Sequence, residues 1–276
     1  MSFMKSKILL CLVLLSCPFA LVHAAGKIKV KVGVDMGCDY YVGDRHDPRY
    51  VKQLGSFSDK EETYSNYNPI LAGDGVDHLQ SWYVGLTGEL LFHKERFGVT
   101  TGLRYTQFID IYDPDAAYFY WDSHADGSDV YYVRARTLLQ RNHYVGFPLE
   151  FRYLASRPGR ICRFYFKLGS SWGFLVASDN KLTCYDSSVD DELGGYVDDV
   201  GKDPDRFVGS VYPAFGFRIG RYFPLFNIDF HLPSFLINMP ASYFYYDMGV
   251  GVQLSVQLPT DRAAYDRRDP MGIPYY

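Results

Sequence analysis

Few side chains in this chain could do chemistry, and they are scattered. Six of its seven histidines, His46, His78, His93, His124, His143 and His231, follow residue 24. A hydrolytic centre needs a nucleophile within hydrogen-bond reach of a base. No serine stands two or four residues from His143, although a neighbouring strand could supply one. His231 shares a face with Asp229, which suits a buried polar network better than a catalytic pair. The run Asp122-x-His124-x-Asp126-Gly127-x-Asp129 has the acid spacing of a calcium loop, but its twelfth position is Val133 where an EF-hand needs glutamate. Asp122, Asp126 and Asp129 are therefore read as solvated loop acids, with a divalent cation as the alternative. Cys38, Cys162 and Cys184 are odd in number and match no zinc spacing. Free thiols are expected, with a Cys38–Cys184 bridge as the alternative. There is no glycine-rich phosphate loop and no metalloprotease motif. The expectation is no catalytic residue and no cofactor.

The elements that carry these residues alternate with period two. Phe97, Val99, Thr101, Leu103 and Tyr105 face one way, and Gly98, Thr100, Gly102, Arg104 and Thr106 the other. Met248, Val250, Val252, Leu254, Val256 and Leu258 repeat the pattern against Asp247, Gly249, Gly251, Gln253, Ser255 and Gln257. Eight such strands are predicted, at 28–42, 79–92, 97–108, 141–154, 161–177, 208–222, 226–238 and 243–258. Most exceed the roughly five or six residues of soluble strands and suit a tilted membrane strand of about 9–11. Short turns near 93–96, 155–160 and 223–225 alternate with connections at 43–78, 109–140, 178–207 and 239–242. That asymmetry is the pattern of an outer-membrane barrel with short periplasmic turns and long extracellular loops.

Alternation alone leaves open which face points inward. A lipocalin-like barrel would turn its apolar face in, around a ligand. Two features favour apolar-out. Glycines such as Gly33, Gly37, Gly85, Gly146, Gly169 and Gly216 lie on the polar face, where a narrow interior needs small residues. That face also carries both signs: Lys29, Lys31, Arg104, Arg152, Arg163, Lys167 and Arg218 against Asp35, Glu89, Glu150, Asp229 and Asp247, with His231 beside them. Such a set can neutralise itself in a lumen, and buried charges persist only when paired. Aromatics are expected to form two interface girdles. Tyr40, Tyr41, Trp82, Tyr105, Phe108, Phe174, Tyr212, Phe244 and Tyr245 fall at the loop end, and Phe92, Phe97, Phe151, Tyr153, Phe164 and Phe226 at the turn end.

Residues 1–24 read as a secretory signal. Lys5 and Lys7 precede a short apolar stretch, and Val22-His23-Ala24 offers a cleavage site. Leu14-Leu15-Ser16-Cys17 gives a lipobox alternative, with Cys17 lipidated, against which Pro18 counts. Cleavage after Ala24 would leave 252 residues of net charge −6. Residues 25–258 would form the barrel and 259–276 a polar periplasmic tail. The three long connections carry seven acids and four bases, six and two, and nine and three. They sum to −13 against +7 for the rest of the mature chain, so an acidic outer surface is expected. The overall acidity argues against nucleic-acid binding, which needs a basic face. Aromatics at 17% with 25 glycines argue against a helical protein.

The segment Tyr144-Val145-Gly146-Phe147-Pro148-Leu149-Glu150-Phe151-Arg152-Tyr153, with its mid-strand proline, and the closing Gly249-Val250-Gly251-Val252-Gln253-Leu254 resemble the PorT-like, outer membrane protein beta-barrel domain family of Bacteroidetes. The resemblance covers about residues 26–258. It departs from the family where Leu258 is followed by Pro259 and a polar tail instead of a closing aromatic. The resemblance implies a small barrel in a Gram-negative outer membrane more firmly than any task; PorT itself serves type IX secretion. The expected function is a non-catalytic barrel with a side-chain-filled lumen, acting through its loops in adhesion, envelope integrity or assembly of a membrane complex. Expected partners are outer-membrane lipid and lipopolysaccharide, the barrel assembly machinery during biogenesis, and a protein at the loops. The alternatives are a lipid A- or phospholipid-modifying enzyme and a secreted ligand-binding barrel.

Overall fold

The computed structural model describes residues 29–44, 76–93, 95–113, 118–122, 130–156, 160–185, 204–220, 225–240 and 245–259. Nine strands fill most of them: β1 Lys29–Asp44, β2 Val76–Phe92, β3 Phe97–Asp113, β4 Tyr118–Asp122, β5 Val130–Leu154, β6 Cys162–Cys184, β7 Phe207–Ile219, β8 Leu225–Leu236 and β9 Tyr245–Pro259. All pairings are antiparallel. β1 pairs with both β2 and β9, and β3 pairs with β5, so the order β1-β2-β3-β5-β6-β7-β8-β9 closes into a ring of eight. β4 stands outside the ring, pairing with Val130–Arg134 at the start of β5. The all-β ring expected from the alternation is what the chain forms. Residues 1–24 and 260–276, which include the proposed signal, Cys17 and nearly all of the tail, lie outside the described residues.

The strands run further than the alternation suggested. β5 starts at Val130 instead of 141, β6 reaches Cys184 instead of 177, and β3 reaches Asp113 instead of 108. The connection 109–140 is therefore largely strand. Tyr118-Phe119-Tyr120-Trp121 and Val130-Tyr131-Tyr132-Val133 are strong strand formers; the acids between them disguised the hairpin. β7 ends early, at Ile219, because Gly220 adopts φ 118° and leaves the ladder. The turn from β2 to β3 closes on the stacked Phe92–Phe97 pair, with His93 and Glu95 at φ 50° and 65°.

Mid-strand prolines fall where the ladder breaks, because proline has no N–H to give. Pro213 lies in the register shift between Val211 and Ala214 of β7, and Pro233 in the shift between His231 and Ser234 of β8. The β3–β5 ladder skips Pro148.

Burial alternates with the residue pattern, and the polar face is the inner one. In β1, Lys31, Asp35 and Asp39 are buried, while Val30, Val32, Val34, Met36 and Val42 are exposed. In β9, Gln253, Ser255 and Gln257 are buried, while Met248, Val250, Leu254 and Leu258 are exposed. Leu86 on β2 and Leu103 on β3 keep 65% and 61% of their surface exposed. The ring is thus inverted relative to a water-soluble barrel.

The interior is narrow, and the glycines make it possible. Four buried tyrosines each lie directly opposite a glycine on the neighbouring strand: Tyr41 on Gly249, Tyr83 on Gly37, Tyr165 on Gly216 and Tyr212 on Gly169. A Cβ at Gly37 or Gly169 would fall on the tyrosine ring itself. Small opposite large fills the barrel without strain. Gly169→Val is expected to cost about 1–3 kcal/mol, as overpacking does. Gly88→Val, where an added Cβ meets only Thr101 O at 3.9 Å, should stay within about 0.5 kcal/mol. Urea titration of the refolded chain measures both, and equal losses would contradict this account.

Candidate functional site: the ionic interior

Six cations and six carboxylates are buried: Lys31, Arg104, Arg152, Arg163, Lys167 and Arg218, with Asp35, Asp39, Glu89, Asp110, Glu150 and Asp229. Period two places them all on one face, and ring closure brings that face together from every side. They form three layers.

At the turn end, Glu89 of β2 accepts from Arg152 Nη1 of β5 at 2.5 Å and from Arg218 Nη2 of β7 at 2.7 Å. Arg218 also donates through Nε to Asn227 at 2.8 Å and through Nη2 to Gln257 at 3.0 Å. One carboxylate thereby ties opposite walls. At the rim, Glu95 from the β2–β3 turn accepts from Lys29 at 2.6 Å and from Arg163 at 3.2 Å.

In the middle, Arg104 pairs with Asp35 and, at 3.3 Å, with Glu150. Lys167 lies 3.4 Å from Glu150 and 3.2 Å from Asp229, and donates to Gln253 at 2.8 Å. Tyr212 Oη donates to Glu150 at 2.9 Å. Arg104 sits 4.4 Å over the Tyr83 ring and Arg152 4.5 Å over Tyr165, so the tyrosines seated on glycines also face cations.

At the loop end, His231 donates through Nδ1 to Asp39 at 2.8 Å and stacks on Tyr212 at 4.1 Å. Ser81 donates to the other Asp39 oxygen at 3.4 Å. A cavity of about 30 Å³ lies among Asp39, Tyr83, Arg104 and Tyr212, room for about one water. Above it, Asn142 donates to Pro240 O at 2.5 Å, Tyr144 donates to Asp205 O at 3.0 Å, and the Met239 N–H reaches Asp205 at 2.9 Å. These contacts lay segment 237–240 across the mouth.

Of the charges proposed from sequence, Lys31, Asp35, Glu89, Arg104, Glu150, Arg152, Arg163, Lys167, Arg218, Asp229 and His231 lie inside. Lys29 sits at the exposed rim with Glu95, its side chain 58% exposed. The Asp247 side chain is outside the described set. Sequence reasoning passed over Asp39, Asp110, Asn227, Tyr83 and Tyr165. Parity was the available signal: Asp39 and Tyr41 share it with Asp35.

Among the girdle aromatics, Tyr40, Trp82, Tyr105, Phe174 and Phe226 are exposed, and Phe151 and Phe164 half-buried on the outer face. The Tyr245 side chain is not described. Tyr41, Phe108 and Tyr212 are a correction. All three are buried inside, because their parity is that of the charged face. His143 stays on the outer face, with Tyr105 Oη 2.6 Å from its Nδ1 and the two rings stacked. Cys38, Cys162 and Cys184 are free thiols, so the Cys38–Cys184 bridge does not form. Asp122 ends β4, but its side chain and all of Asp126 and Asp129 lie outside the described residues. Among the described residues no group of three His, Cys, Asp or Glu could hold a metal ion.

Removing Glu89 would leave Arg152 and Arg218 buried without their carboxylate. Glu89→Ala is expected to cost about 3–5 kcal/mol in urea unfolding, as breaking a buried pair does. A loss below about 1 kcal/mol, the scale of an exposed pair, would contradict the geometry. Glu95 offers a pH test. Burial raises its pKa, but the bond from Lys29 and the charges of Lys31 and Arg163 win, holding the carboxyl below the usual range. A depressed carboxylate contributes stability that is present above its unfolded pKa and lost as pH falls through the folded one. The acid limb of stability against pH should therefore flatten in Glu95→Gln; an unchanged limb counts against the pairing.

No family model matches the chain, and no curated protein matches it.

Proposed function

We propose that the chain is a non-catalytic outer-membrane β-barrel, its lumen filled by its own side chains, acting through the long acidic connections at one end. One observation carries this reading: around the ring, alternate residues present Val, Leu, Ile, Met and aromatic side chains outward, while every buried Lys, Arg, Asp and Glu points in. Water rewards the reverse arrangement, and a bilayer rewards this one. Spacing adds support. Three connections of a few residues lie at one end, and those spanning 45–75, 114–129 and 186–206 at the other.

The filled interior favours a structural or adhesive role over conduction. Function would then rest with the acidic loop end, in adhesion, envelope integrity or assembly of a membrane complex. Accessory work in secretion is the version the PorT-like resemblance implies. Lipopolysaccharide and the barrel assembly machinery would be partners by virtue of location. A lipid-modifying enzyme would need a nucleophile beside an outer-face base, and the group found beside His143 is Tyr105. A lipocalin-like role would need an apolar chamber, and this interior is ionic.

Topology is testable with the native thiols. Cys162 is exposed at the turn end. A membrane-impermeant maleimide should label it only after the outer membrane is breached, and the folded chain should need detergent for extraction and migrate differently before and after boiling. Full solubility without detergent, or labelling of Cys162 on intact cells, would overturn the reading.

A further inference from the structure

The buried charges cancel in number but not in place. Register sets their heights. Lys31, Arg152, Arg163 and Arg218 lie near the turn ends of β1, β5, β6 and β7, with Glu89 as their one buried carboxylate. Asp39 and Asp110 lie near the loop ends of β1 and β3. Counting the rim pair Lys29 and Glu95 as well, the turn end holds five cations against two carboxylates among the described residues.

Those two carboxylates are already engaged. Both Glu89 oxygens accept from Arg218, and one of them also from Arg152. The two Glu95 oxygens accept from Lys29 and Arg163. Donors are left over. Lys31 is 6% exposed, and among the described residues its ammonium has no hydrogen-bond or ion-pair partner. Arg218 Nη1, Arg163 Nε and Arg152 Nε are buried with no hydrogen-bond partner. Arg163 and Arg218 are directly opposite each other in register, and Lys31 feels the charge of both as well as that of Glu89 and Glu95. A buried cation stays charged only with acceptors beside it, and here the donor atoms outnumber the acceptor oxygens of Glu89 and Glu95.

We infer that the turn-end mouth is a binding site for a phosphate-class dianion, held by Lys31, Arg163 and Arg218. An excess of positive charge suits a dianion. A pair of forked guanidiniums with an ammonium suits a tetrahedral group of several acceptor oxygens. The adjoining turns add the exposed Arg96 and Arg160, which would raise the local concentration of anions. The phosphate could belong to a lipid headgroup or to a free phosphate ester. The site stands on the interior geometry and holds whether or not the membrane reading does.

The test uses the purified full chain in a neutral detergent. In one arm, inorganic phosphate is titrated against chloride at matched ionic strength by calorimetry. In the other, native mass spectrometry follows retention of phosphatidic acid against phosphatidylcholine. Saturable binding in either arm, weakened about tenfold or more by Lys31→Met and by Arg163→Gln, supports the site. Lys181→Met, an exposed change at the loop end, should leave it unaltered. Binding of phosphate alone assigns a soluble ligand, and retention of phosphatidic acid alone assigns a headgroup. No saturable binding in either arm, or equal binding by both variants and the wild type, overturns the inference. Should Lys31→Met fail to fold, Lys31→Arg is expected to keep binding and Arg163→Gln to lose it.

Discussion

Glu89 sits at the point on which the other contacts depend. Its carboxylate is 1% exposed and accepts from guanidiniums on β5 and β7, strands reached by crossing the barrel. Two arginines and a glutamate taken from water cost several kcal/mol each, which only close, hydrogen-bonded pairing can offset. Pairing across the interior requires the walls to stand at one separation. That separation in turn requires glycine opposite Tyr41, Tyr83, Tyr165 and Tyr212, because Tyr83 and Tyr212 leave no space for a Cβ at Gly37 or Gly169. Charge pairing, tyrosine–glycine packing and ring closure are therefore one condition met three ways.

The same condition decides the exterior. With the buried charges of each strand turned inward, period two leaves the valines, leucines and most phenylalanines outside. No rearrangement of the ring can bury both sets, since slipping a strand by one residue exchanges its faces. An apolar outer wall is thus the price of an ionic core, and a bilayer is the surrounding in which that wall is stable. Specificity against other pairings follows from the same source: a slipped register would move Glu89 or Arg218 to the apolar outer face, away from its partners.

Much of this was legible in the sequence because period two survives translation into structure directly. The ring of eight follows from counting alternate residues, and the polar inner face, with eleven of the thirteen named interior charges and histidine, from the glycines and the two signs of charge that share it. What was missed has physical reasons. Tyr41, Phe108 and Tyr212 were read by residue type as interface aromatics, yet parity placed them inside; hydrophobicity misleads where a ring can lie on glycine and under a cation. Asp39 escaped notice because its partner, His231, stands 192 positions away, and only ring closure joins them. The β4–β5 hairpin was hidden by acids in its connection. The orphaned donors at the turn end could not be read at all, since they depend on which atoms of Glu89 and Glu95 are already taken.

The central claim is that the outer face is in contact with hydrocarbon. Leu254, outward on β9 and opposite Met36 on β1, is well placed to report on it. In a chain whose Trp82, Trp121 and Trp172 are replaced by phenylalanine, Leu254→Trp reconstituted into vesicles should be strongly quenched by lipids brominated along their acyl chains. It should be indifferent to a water-soluble quencher. Emission quenched by the soluble reagent and untouched by the brominated lipids would mean that this face meets water, and the account would be wrong.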